Sequence, residues 1–293
     1  MKQLFFGCML LFGLLPMLLA QNADVTKSDA IMQESQMQYQ AAAELYQKAA
    51  KLYEADGKTD AFCYFKAGQN FAKAKKYTNA IPMLDKARTN HYDEVDLYLS
   101  YGDAYAGVKQ FAEAEKELLS GKEKYADKGA EFNKKLGYLF FNSGQYEKAV
   151  EYLQVALESE PNNYTYHYLL GSSYERMKKY KEATIELEKV VALKSNHKNS
   201  IKKLGVIYFK QTDYLYNKET KRYEAMKNPT RVDYHNSTKK LEQIAQGYTK
   251  ALPYLEKAHA FSQKDKAIIS CLSVSYRRLK MEEKAAKMAE LLK

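Results

Sequence analysis

Few stretches of the chain show the strict apolar–polar alternation that a half-buried strand needs. Small and apolar residues return instead in a long rhythm. Gly68, Gly102, Gly137, Gly171 and Gly205 recur at a nearly constant interval, and each is followed three positions later by an aromatic (Phe71, Tyr105, Phe140, Tyr174, Tyr208). In the first four repeats an aromatic-x-x-Ala step comes next: Tyr77/Ala80, Phe111/Ala114, Tyr146/Ala149 and Tyr180/Ala183. This is the spacing of a helix–turn–helix unit repeated along the chain. The glycine and alanine are expected where the two helices of a unit cross, because a side chain larger than methyl would force the axes apart. The aromatics fill the space between helices. No unit can bury its apolar face alone, so stacking of neighbours makes the core. The predicted class is all-α.

The same register extends in both directions. Tyr39, Ala42, Tyr46 and Ala49 reproduce the second-helix pattern upstream, so 21–60 reads as a degenerate repeat or capping helices. Leu272, Tyr276 and Ala285 mark a truncated last unit, with Ser273 in place of the glycine. Units are predicted near 61–94, 95–128, 130–163, 164–197, 198–265 and 266–293. The fifth is too long by the length of a whole repeat, with the excess in 211–247. Two arrangements fit that excess. One is an elongated helical hairpin turning near Asn228-Pro229, each arm longer by about 17 residues or roughly 25 Å. The other is a hidden divergent repeat, which would put Asn217, Glu224 and Lys239 where small residues belong and is disfavoured for that reason. Gly247 and Pro253 predict a break or kink as the return arm enters the repeat.

Residues 136–163, LGYLFFNSGQYEKAVEYLQVALESEPNN, resemble the tetratricopeptide repeat consensus through the terminal Pro161. The chain as a whole resembles exported tetratricopeptide proteins of Gram-negative gut and oral bacteria. That resemblance implies a right-handed superhelical solenoid of stacked helix–turn–helix units with one elongated hairpin, and a non-catalytic, protein-binding role. It also implies a concave groove lined by the first helix of each unit, with contacts from positions 2, 5, 6, 9, 12 and 13. Mapped onto this chain, the earlier units give Phe62, Phe65, Asp96, Leu99 and Asp103. The later units give Lys134, Lys135, Tyr138, Phe141, Tyr168, Arg176, Lys202, Lys203, Phe209, Lys210, Arg277 and Arg278. The expected ligand of the later set is an extended segment of a partner protein, acidic or bearing aromatics. Members that grip chaperone C-termini use a carboxylate clamp of paired Lys and Asn. Here Tyr138 and Leu169 stand where its asparagines would be, so that activity is not expected.

Composition changes this picture little. Only 13 Gly and 5 Pro among 293 residues favour helices over strands, and 26 Tyr are accounted for by packing. The segment 1–20 stands apart: Lys2, an apolar run from Leu4 to Leu19 and a small residue at Ala20 have the layout of a secretory signal peptide. A retained membrane anchor is the alternative, disfavoured because the run is short and broken by Gly7, Gly13 and Pro16. Cleavage after Ala20 would leave an exported chain, periplasmic or envelope-associated, starting at Gln21 with no membrane span. The net charge of +10 comes from 46 basic and 36 acidic residues scattered as Lys–Glu mixtures, which reads as solvated helix faces rather than a nucleic-acid site. Cys63 and Cys271, the two cysteines beyond the leader, make no disulfide framework.

No motif for catalysis stands out. HExxH, GxxxxGK, GxSxG and CxxC are absent, and His91, His167, His197, His235 and His259 fall in different units or at different heights. No cofactor or metal is expected. The sequence therefore predicts a binding scaffold or adaptor of the cell envelope. A carrier or sensor of an acidic cell-surface polymer is the second reading of the lysine-rich later groove.

Overall fold

The computed structural model describes residues 14–293, with side chains from Asn22 onward. Residues 1–13 of the expected signal segment lie outside the described residues. Among the described residues there are fifteen α-helices, one short 3-10 turn and no strand. No described helix is long and apolar enough to cross a membrane. The described residues divide into two compact units, one ending at residue 159 and the other spanning 160–293.

The N-terminal unit contains α1 (Leu14–Ser35), α2 (Tyr39–Ala55), α3 (Ala61–Lys73), α4 (Tyr77–Thr89), α5 (Val95–Gly107), α6 (Phe111–Lys124), α7 (Gly129–Ser143) and α8 (Tyr146–Ser159). Each odd helix packs against the next even one, and each even helix packs against the odd helix that follows. The first helices of successive hairpins also touch, α3 on α5 and α5 on α7. The glycines explain why the helices approach so closely. A Cβ placed on Gly68, Gly102 or Gly137 would lie 2.7, 2.5 or 2.9 Å from the side chain of Leu84, Leu118 or Leu153. Each leucine stands the same distance along the chain beyond its glycine. Ala80, Ala114 and Ala149 are fully buried at the same crossings.

The turn inside each hairpin has a feature the sequence does not announce. One residue there takes a left-handed conformation, and it is glycine only at Gly144; Lys75, Lys109, Lys178 and Lys280 hold φ near 60°. The backbone N–H of the following residue then donates to the carbonyl of the repeat aromatic, as in Lys76 to Phe71 and Gln110 to Tyr105 (2.8 and 2.9 Å). This bond closes the helix end. A left-handed lysine costs about 1 kcal/mol against the glycine it replaces. Lys109→Gly is therefore expected to stabilise the fold by about 0.5–1 kcal/mol, seen as a higher melting temperature.

The C-terminal unit contains α9 (Tyr164–Arg176), α10 (Tyr180–Leu193), α11 (Lys198–Glu224), α12 (Arg231–Ala245), α13 (Tyr248–Phe261), α14 (Lys266–Arg278) and α15 (Glu282–Glu290). Helix α11 runs 27 residues without a break. Its first half packs on α13, and α12 also lies against it. A Cβ on Gly205 would meet Leu255 at 2.9 Å. The usual glycine–leucine separation is lengthened here by one inserted repeat length, and the crossing survives the insertion. The path breaks at Gln246–Gly247 between α12 and α13, whereas Pro253 sits inside α13 without ending it.

A buried carboxylate fastens the α11–α12 hairpin. Glu219 is 3% exposed. It accepts from Arg222 Nη2 at 2.5 Å and from Ser237 Oγ of α12 at 3.1 Å, and it pairs with Lys240 at 2.8 Å. The bond from Arg222, helped by Lys240 and Ser237, holds its carboxyl down to about 2 against an ordinary 4.5. A lowered pKa gives stability that is complete above pH 4.5 and is lost as pH falls towards 2. The outer hairpin is expected to loosen across that window. Glu219→Ala should do the same at neutral pH. Hydrogen exchange should then lose protection in 213–245 and keep it in 198–208.

Candidate partner-binding groove

In the N-terminal unit the first helices α3, α5 and α7 lie side by side and line a groove of about 510 Å³. Small residues of α5, Gly102, Ala106 and Gly107, are part of its lining. The ring of Tyr77 leans on Gly107, where a Cβ would come within 2.4 Å of it. Tyr138 of α7 stands in the groove 37% exposed, beside Lys135 and Asn142 of the same helix. Lys135 Nζ is 2.6 Å from both carboxylate oxygens of Asp103 on α5, an ion pair that crosses from one repeat to the next. Asp96 and Leu99 line the same groove. Lys134 and Phe141 are half-buried, and Phe141 meets Tyr146 edge-on at 6.0 Å.

The candidates of the C-terminal unit are more engaged. Lys202 is 2.5 Å from Asp265, the residue that caps α14 and that this bond holds below the usual carboxylate range. Lys203 pairs with Glu175. Phe209 packs against Tyr248 at 5.7 Å at the edge of the core. Tyr168 meets His197 edge-on at 5.0 Å. Burial and nearby Lys194 hold His197 below its ordinary value, which suits its acceptance of the Ser200 N–H as the cap of α11. The Arg278 guanidinium lies 4.0 Å over Tyr216. Arg176 and Lys210 are exposed.

Two features of the structure bear on how available these side chains are. Lys135, Lys202 and Lys203, three of the eight cations mapped from the repeat positions, are paired with carboxylates of neighbouring repeats and offer little free charge. Phe209 belongs to the packed edge of the core and is a poor candidate for free recognition area. A signal for the pairs exists in the sequence: opposite charges about one repeat apart on equivalent helices, as also in Arg88–Glu117 and Lys148–Glu115. Among the described residues no group of histidine, cysteine and carboxylate side chains could hold a metal ion. Cys63, buried, and Cys271, half-buried, are free thiols, each pushed up by burial, to about 12 and about 11.

Comparison with known proteins agrees with this geometry. Residues 65–127 match a family described as tetratricopeptide repeat, and residues 112–190 match one described as anaphase-promoting complex, cyclosome, subunit 3. A "TPR repeat-containing protein" of Borreliella burgdorferi is 35% identical over 104 residues. These findings support a tetratricopeptide-repeat protein. The match to the Borreliella relative covers 34% of this chain and 45% of the relative, so the chain spans less than half of that protein's length. The solved C-terminal part of a TPR repeat-containing protein from Cytophaga hutchinsonii superposes with a TM-score of 0.62 at 16% identity, covering 91% of this chain and 93% of that one. YrrB, described as a TPR protein with an unusual peptide-binding site, gives 0.50 at 21% identity over 60% of this chain and 88% of its own. At such identities the likeness establishes the fold, an all-helical tetratricopeptide solenoid. Tetratricopeptide proteins are typically non-catalytic scaffolds, and protein partners are what the fold suggests.

Proposed function

We propose that this chain is a non-catalytic scaffold or adaptor of the cell envelope that holds an extended segment of a partner protein in the groove of its N-terminal unit. The observation that carries this reading is the open groove across α3, α5 and α7 with Tyr138 standing exposed inside it. Exposed tyrosine on a rigid helix supplies contact area at low entropic cost. The repeat limits given above are part of the same proposal, as are the export of the chain and its start at Gln21. Intact mass of envelope-derived protein checks that start, and retention of the segment 1–20 would contradict it.

Carriage of an acidic polymer is the weaker reading. Such a ligand needs a run of free cations, and Lys135, Lys202 and Lys203 are already paired. The partner segment is better described by its aromatic or apolar side chains than by acidity. The rival surface is the projecting hairpin, which exposes Tyr214, Val232 and Tyr234. A pull-down from the native envelope fraction with the full chain, with Tyr138→Ala, and with residues 214–244 removed separates the two. Loss on the hairpin deletion in a still-folded protein, with Tyr138→Ala unaffected, would overturn the groove reading.

A further inference from the structure

Where the groove meets the N-terminal ends of α5 and α7, its character changes. A notch of about 480 Å³ opens there, lined by Phe62, Tyr92, Glu94, Asp96 and Glu131 together with Val95 and Lys128, and Asp96 lines both notch and groove. Its aromatic side is built firmly. Tyr92 stacks on Phe65 at 4.4 Å and 12°, and Phe62 is 6.5 Å from Tyr92 and 40% exposed.

We propose that this notch receives a lysine or arginine side chain of the segment bound in the groove, with the hydrocarbon stem on Phe62 and Tyr92 and the charge among Glu94, Asp96 and Glu131. This rests on the groove reading above and adds the chemistry of one subsite to it. The carboxylates of Glu94, Asp96 and Glu131 have no hydrogen-bond or ion-pair partner among the described residues. Of the nearby cations, Lys27 and Lys66, which lie 5.2 and 5.9 Å from the Phe62 ring, are bound to Asp60 and Glu34, and exposed Lys128 faces Asp127 at 3.7 Å. The Tyr92 hydroxyl is pushed up to about 12, first by burial and then by Glu94 and Asp96. Asp96 and Glu131 lie in the first turns of α5 and α7, where acids favour the helix dipole. That role accounts for their charge but not for an aromatic ring left 40% exposed at the same notch. The carboxylates do not converge as metal ligands. A long cation with an apolar stem satisfies both walls at once, through charge on one side and cation–π and stem contact on the other.

The test selects a phage-displayed random dodecapeptide library on the full chain, then titrates synthetic copies of the enriched peptides calorimetrically against wild type, Asp96→Asn/Glu131→Gln and Tyr138→Ala. The near-isosteric double variant sits on the surface, and its melting curve checks that the fold is kept. The expected result is a fixed Lys or Arg in the enriched peptides. The double variant should bind them at least tenfold more weakly and with less dependence on salt. Changing that one peptide residue to Gln should weaken binding to wild type by a similar factor and leave binding to the double variant nearly unchanged. Peptides without a basic position, or with equal affinity for the double variant, overturn the notch assignment even if Tyr138→Ala weakens them. Failure to enrich any peptide, or peptides indifferent to Tyr138→Ala, overturns the groove reading and the notch with it.

Discussion

Gly121→Ala is expected to destabilise the protein by about 1–3 kcal/mol, the opposite of what the same change does in an ordinary helix. In an exposed helix interior, alanine is favoured over glycine by about 1 kcal/mol. Gly121 lies in the last turn of α6, and an added Cβ would come 2.5 Å from the ring of Phe132 and 2.6 Å from Cβ of Tyr98. Phe132 is fully buried and cannot swing aside, and the Tyr98 atom moves only with its backbone. Gly129 is the internal control. It begins α7 in a right-handed helical conformation with nothing within 4 Å of an added Cβ, so Gly129→Ala should be neutral or stabilising. Chemical denaturation of the two variants beside wild type reads the sign directly. Equal effects in the same direction would mean that α6 and α7 do not pack at Gly121 as described.

Tyr138→Ala is expected to weaken the native partner at least tenfold while leaving helical content unchanged. Buried aromatic contacts in such grooves contribute about 2 kcal/mol or more each when truncated. The side chain is 37% exposed, lines the groove and is not among the buried core residues. Reversing Lys135 to Glu would have a different signature. It places like charge against Asp103, so its effect on binding should come with a loss of stability that fades at high salt. A clean loss of affinity from Tyr138→Ala beside a mixed effect from Lys135→Glu separates recognition from the architecture that supports it.

Much of the fold was legible because it rests on residues with one physical use. The glycine that returns in each repeat marks a helix crossing, and the structure puts a leucine side chain against each of Gly68, Gly102, Gly137, Gly171 and Gly205. Gly107 and Gly121 make equally close contacts, yet they recur in no other repeat and carry no periodic signal. The left-handed lysines at 75, 109, 178 and 280 were invisible for a related reason: glycine announces that conformation and lysine does not. Less of the site was legible. Position within the repeat located Tyr138, Lys135 and Asp96 on the groove, since side-chain direction follows helical phase. Whether a lysine is free depends on the neighbouring repeat, so the pairing of Lys135 with Asp103 and of Lys202 with Asp265 could not be read from one helix at a time. The notch was missed because Tyr92 and Glu94 lie at or before the start of α5, outside the groove positions that the repeat pattern supplies.

The most direct measurement is site-specific photo-crosslinking in the native envelope. A photoreactive phenylalanine analogue placed at Leu99, on the groove wall, should give a discrete adduct with one partner polypeptide, and the same group at Val232, on the hairpin, should not. Mass spectrometry of the Leu99 adduct should map the crosslink to a short extended segment of that partner. A protein adduct from Val232 and none from Leu99, or adducts at Leu99 made only of polysaccharide, would contradict the account.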